Sequence, residues 1–116
     1  MKLSELKPSQ NKKICVLGDS GSGKTVFAAG CPGPIYFFDF DGKISSAASY
    51  FAKDPERLTQ IHYDSYQPAD EKDHPFARYD KKLTELAQAK PFPYATVVVD
   101  SLTTYADAMF KEIVRQ

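Results

Sequence analysis

Apolar positions along the chain fall into short runs separated by glycine, proline and polar clusters, and their spacing alternates between a strand period and a helix period. Lys13-Ile14-Cys15-Val16-Leu17 is an apolar run that predicts a buried strand, with Cys15 as a small buried residue inside it. A Gly/Ser segment follows, after which Lys24 to Ala29 predicts a short helix stopped by Gly30 and Pro32. Pro34 to Asp41 predicts a second strand, apolar on both faces until its acidic end, and Gly42 turns the chain. Ile44 to Phe51 predicts a helix built on small residues, and Leu58 to Tyr63 a weaker strand. Asp64 to Asp73 is polar without a period and reads as a surface loop, and Pro75 suits the first position of the next helix. In that helix Phe76, Tyr79, Leu83, Leu86 and Ala87 recur at three- and four-residue steps, giving one apolar face that Pro91 and Pro93 bring to an end. Ala95 to Asp100 is the most β-prone run, and Ser101 is placed to cap a last helix with a buried stripe of Leu102, Tyr105, Met109 and Ile113. Strands alternating with helices predict an α/β fold with a mainly parallel sheet and a ligand site at the carboxyl ends of its strands.

Composition narrows the class. The 116 residues are 42% hydrophobic, with seven Tyr and eight Phe, which suffices for the core of one small domain or part of one and excludes a disordered chain. The longest apolar runs, Ile14 to Leu17 and Ile35 to Phe38, are far short of the roughly 20 residues of a membrane-spanning helix. The first residues lack the apolar core of a secretory signal. Fifteen basic residues balance fifteen acidic ones, so no basic surface for nucleic acid covers the whole domain, although a local patch stays open. Only Arg57, Arg78 and Arg115 offer a guanidinium for bidentate recognition. Cys15 and Cys31, with His62 and His74, match no zinc spacing, and the two histidines read as surface residues; the setting implied is a reducing cytoplasm.

The chemistry is concentrated in Gly18-Asp19-Ser20-Gly21-Ser22-Gly23-Lys24-Thr25, a full match to the phosphate-binding loop pattern G-x-x-x-x-G-K-[ST], set between a predicted strand and a predicted helix. Glycines at this spacing let backbone N–H groups converge on a β-phosphate. Lys24 then reaches the β- and γ-phosphates, and the Thr25 hydroxyl is placed to ligate Mg²⁺. Asp100 ends an apolar strand, as does the acid that holds Mg²⁺ beside such a loop; taken alone it reads first as an ordinary strand-ending residue that caps the next helix, and the phosphate loop upstream reverses that preference. Asp39 and Asp41 are two apart and share a face of an extended strand, opposite Phe38 and Phe40. Either carboxylate could orient or deprotonate an attacking water, or be a solvated turn residue before Gly42.

The loop, the strand Phe37-Phe38-Asp39-Phe40-Asp41-Gly42 and the segment Val97-Val98-Val99-Asp100-Ser101-Leu102 together resemble the RecA-like branch of P-loop ATPases, with a likeness to phage-encoded recombination ATPases of the Sak type. The resemblance spans about residues 12 to 112, leaving 1–11 as an N-terminal extension and 12–116 as the nucleotide-binding domain, and it is specific only at those three stations. It implies a three-layer P-loop fold that binds ATP and Mg²⁺ through residues 18–25, with Lys24 and Thr25 on phosphate and metal and Asp100 as the metal-side acid. It puts Asp41 where these enzymes carry the catalytic glutamate, one methylene shorter. In that family one further strand lies between the phosphate-loop strand and the metal-acid strand, and the DNA-binding loops follow. The expectation is therefore of a core truncated after the Asp100 strand and its helix, completed by a homo-oligomer or a second chain, with single-stranded DNA as the family's partner.

Three functions follow from these residues. The first is a Mg²⁺-dependent ATPase module of a phage DNA recombination system in which Asp41 positions water. The second is a non-hydrolytic nucleotide-binding module whose surface is ordered for a partner. The third, a small-molecule kinase, ranks below them because the segment from Asp41 to Pro93 offers only Arg57 and Arg78 toward a second phosphorylated substrate.

Overall fold

The computed structural model describes residues 1–6, 11–19 and 21–115. After a 3-10 turn at Leu3–Glu5 come helix α1 (Lys24–Ala29), strand β1 (Ile35–Asp39), helices α2 (Ile44–Tyr50) and α3 (Pro55–Thr59), strand β2 (Ile61–Ser65), helix α4 (Pro75–Gln88), strand β3 (Thr96–Asp100) and helix α5 (Leu102–Arg115). The sheet has the order β2-β1-β3, with both pairings parallel. The register sets Ile35 beside Ile61 and Thr96, and at the other end Asp39 beside Ser65 and Asp100.

β1 is buried along its whole length because it is the central strand and both its faces are covered. Tyr36, Phe38 and Phe40 turn one way into a cluster with Tyr66 and Leu86, against which Tyr79 of α4 and Tyr105 and Ala108 of α5 pack. Ile35 and Phe37 turn the other way, onto Ala29 of α1 and Ala47 of α2. Small residues at those two helix positions let α1 and α2 come close to the sheet. The aromatic side is held by edge-to-face contacts, with the Phe38 ring 4.7 Å from Tyr79 and the Tyr79 ring 5.1 Å from Tyr105. Within it, the Tyr36 hydroxyl donates to Asp64 at 2.6 Å and lies 2.9 Å from the Tyr66 hydroxyl, tying β1 to β2. Burial, followed by the hydrogen bond to Asp64, holds the Tyr36 phenol far above its ordinary pKa, so it stays a neutral donor.

Several sequence expectations are met closely: α1, α2 and β3 fall where their patterns put them, and Pro75 opens α4. Others are corrected. Residues 11–19 form no strand, and Ile14, Cys15 and Leu17 are exposed. An apolar run becomes a strand only where a neighbour offers its backbone groups, and among the described residues no strand pairs with the outer edge of β3. The weak strand lies at Ile61–Ser65, because Asp54 and Pro55 start α3, with the Asp54 side chain accepting from the Arg57 N–H at 3.1 Å. That takes Leu58 into a helix and Asp64 and Ser65 out of the loop. The stripe expected on the last helix is also partly wrong: Tyr105 packs on the core, together with Ala108, whereas Leu102 and Ile113 are exposed. On α4, Tyr79 and Leu86 face the core while Leu83 and Ala87 face solvent. No helix among the described residues is long and apolar enough to cross a membrane.

Candidate nucleotide site

The Gly/Ser loop enters α1 through Gly21 and Gly23, whose φ angles of 82° and 92° lie in the left-handed region that a side chain resists. Gly23 is the N-cap of α1, so Lys24 and Thr25 are the first two residues of the helix. The Lys24 ammonium folds back inside the loop, donating to the carbonyl of Gly18 and to that of Asp19 at 2.9 Å. The carbonyls of Gly18 and Asp19 thus hold the ammonium, with Gly21, Ser22 and Gly23 completing the loop up to α1; Ser20 lies outside the described residues.

Thr25 is buried, and its hydroxyl donates to the Asp100 carboxylate at 2.6 Å. These residues are 75 apart in sequence, and two packing choices bring them together. α1 lies on the Ile35 and Phe37 side of the sheet, and Asp100 points to that same side because it alternates with Val99 in β3. A hydroxyl and a carboxylate are oxygen donors only, which suits a hard cation such as Mg²⁺, one that keeps most of its waters and takes one or two carboxylates. No cluster of three or more His, Cys, Asp and Glu arranged for a metal occurs among the described residues.

The two acids at the end of β1 part company. Asp39 is 2% exposed, and its Oδ1 accepts from the Gly42 N–H at 2.9 Å and the Lys43 N–H at 3.3 Å. Burial pushes its carboxyl up from the ordinary value; the Lys43 and Gly42 amides pull it back, and the charge of Asp100 in the next strand adds to the rise. Asp41 lies past the strand end and is partly exposed, its backbone N–H directed at the Asp100 carbonyl at 3.3 Å. Asp39 is thus no solvated turn residue but a buried strand end whose carboxylate holds the turn amides, while Asp41 lies at the carboxyl edge close to Asp100.

A family model described as an AAA domain matches residues 10–116. The chain belongs to this family of P-loop ATPases. No curated protein and no solved structure matches it significantly. As an AAA domain it carries a nucleotide-binding ATPase module, which agrees with the phosphate-loop pattern and with the parallel sheet that ends at the same edge.

Two contributors to this edge of the AAA domain are not evident in its sequence. Gln67 leans on Gly42, so that a Cβ at Gly42 would come within 2.5 Å of the Gln67 Oε1. Arg78 of α4 pins the stretch after β2: its Nε and Nη2 donate to the two oxygens of Asp73 at 3.0 and 2.9 Å, and its Nη1 to the Ser65 carbonyl at 2.8 Å. The only sequence signal for this knot was an arginine near the start of a helix that follows a polar loop. His62 and His74 are exposed as expected, bonded to the Tyr94 hydroxyl at 2.9 Å and to Glu112 at 2.7 Å.

Proposed function

We propose that this domain binds ATP with Mg²⁺ on the loop 18–25 and hydrolyses it, with Asp41 orienting the attacking water. The observation that carries this reading is the 2.6 Å bond from the Thr25 hydroxyl to Asp100, which joins the end of the phosphate-loop motif to the acid that ends β3. Loop amides and the Lys24 ammonium would neutralise the triphosphate, with Lys24 exchanging its two carbonyl partners for phosphate oxygens. Thr25 and Asp100 would hold Mg²⁺, which would supply further neutralisation of charge on the β- and γ-phosphates. The Asp41 carboxylate accepts a proton from water as its oxygen attacks the γ-phosphorus, and ADP leaves.

The finer assignment, a RecA-like module of a phage recombination system acting with single-stranded DNA and assembling with further subunits, draws on the resemblance at residues 18–25, 37–42 and 97–102. A second reading, nucleotide binding that orders a surface for a partner, draws on the exposed Ile14, Leu17 and Phe27 flanking the loop.

Titration of ATP and Mg²⁺ into the wild type and into Lys24→Ala by calorimetry tests the shared premise. The variant should lose on the order of 100-fold or more in affinity, equivalent to about 2.7 kcal/mol; equal affinity would remove nucleotide from the reading altogether. Phosphate release by the wild type that disappears in Asp41→Asn separates hydrolysis from the second reading, which expects binding without release.

A further inference from the structure

We infer that Asp39 is the positioning residue for the turn that carries Asp41. The inference rests on the reading of Asp41 as the residue that orients water, and it adds what holds that side chain in place.

Residues 40–43 are fastened at four consecutive backbone N–H groups. Phe40 and Asp41 donate to the Asp100 carbonyl at 2.8 and 3.3 Å, and Gly42 and Lys43 donate to the Asp39 carboxylate at 2.9 and 3.3 Å. The Phe40 ring is anchored in the aromatic cluster, 4% exposed, and Gly42 takes its left-handed φ of 71° against the Gln67 side chain. The first pair of N–H groups is tied to β3 by backbone alone, and any residue at position 100 could supply that carbonyl. The second pair depends on one side chain. Burying a carboxylate is costly unless its oxygens are answered, and the amides that answer Asp39 belong to the turn itself. Such an arrangement exchanges a solvated carboxylate for a fixed turn, and Asp41, partly exposed, sits inside that turn between the two pairs of anchored amides. A carbonyl oxygen at the same place would also accept from both amides, so the geometry calls for an acceptor at position 39 rather than for a charge.

The test compares the wild type with Asp39→Ala and Asp39→Asn for turnover, for affinity toward ATP with Mg²⁺, and for hydrogen exchange at the Gly42 and Lys43 amides by NMR. Asp39→Ala should lower kcat by roughly 10- to 100-fold, the scale of an ångström-level misplacement of a reacting group, with affinity within about threefold of wild type. Asp39→Asn should keep kcat within about threefold. A full kcat in Asp39→Ala, an equal loss in Asp39→Asn, or a loss confined to affinity would each overturn the inference. If the wild type does not hydrolyse ATP, the reading of Asp41 fails and exchange alone decides the role of Asp39. Protection at both amides in wild type and Asp39→Asn, lost in Asp39→Ala, supports it; equal protection in all three refutes it. Should Asp39→Ala not fold, Asp39→Ser, whose oxygen stops one atom short of the amides, replaces it with the same outcomes.

Discussion

Replacing Thr25 by valine deletes one oxygen from a buried site while keeping a β-branched side chain of nearly the same shape. The oxygen lost is the donor of the 2.6 Å bond to Asp100. A hydrogen bond to an ionised group contributes about 1.5–3 kcal/mol, and because Asp100 is partly open to water the lower end applies. At about 2.1 cal/mol/K per residue the unfolding entropy of 116 residues makes about 1.5 kcal/mol equivalent to about 6 °C in Tm. Thermal and urea unfolding of Thr25→Val, Asp100→Ala and the double variant form a cycle that isolates the pair. Their coupling should be about 1 kcal/mol or more, since residues in direct contact do not behave additively. A coupling below about 0.5 kcal/mol, within the scatter of independent sites, would refute the claim that this bond holds α1 against the end of β3.

Three further outcomes follow from the same geometry. Gly42→Ala should destabilise by about 1–2 kcal/mol in equilibrium unfolding, because φ there is 71° and a left-handed backbone opposes a Cβ. Gln67 is exposed and its amide can swing aside, so most of that loss should persist in a Gln67→Ala background; full recovery there would show that the clash, not the backbone, sets the cost. Hydrogen bonds from Arg78, followed by the Ala69 amide, hold the Asp73 carboxyl below its ordinary 3.8, so its contribution is present at neutral pH and is lost as pH falls through the lowered value. The Tm gap between wild type and Arg78→Ala should therefore narrow below pH 3.8 without closing, because the Arg78 bond to the Ser65 carbonyl does not titrate; a gap independent of pH would contradict the ion pair. Phe38→Ala, at a side chain with no exposure, should cost about 3–5 kcal/mol, a large share of the 5–15 kcal/mol typical of a domain; a loss below about 1 kcal/mol would contradict its place in the core.

Local signals were legible in the sequence wherever a short-range rule set the outcome. The glycines before Lys24, the proline opening α4 and the β-branched run of β3 each determine structure within a few residues. The Asp54-Pro55 helix start was equally local, yet the apolar Leu58 and Ile61 drew attention to a strand two to three residues early. What sequence could not supply is long-range pairing. Ile14 to Leu17 has the pattern of a strand, but pattern says nothing about whether an edge is within reach. The apolar residues of α5 likewise suggest a buried stripe without saying which of them meets Tyr79 of α4. At the site, the loop motif pointed to Thr25 and the acidic end of an apolar strand to Asp100, whereas their contact depends on the way α1 and β3 pack. The division of labour between Asp39 and Asp41 arises from where β1 ends, which no periodicity specifies.

The pairing of Asp39 with Asp100 across β1 and β3 makes the phosphate-loop edge a gauge of strand alignment. If β3 paired one residue out of step, the sheet would keep its strand count, but Asp100 would shift by about 3.3 Å and its side chain would turn to the aromatic side. Thr25 would lose its acceptor, and Val98 would leave the layer beneath α1. Under the proposed reading, in which nucleotide with Mg²⁺ requires Thr25 and Asp100 together, that ligand binds only the correctly threaded sheet, and its presence during refolding would act as a template that selects the native alignment over its slipped neighbours.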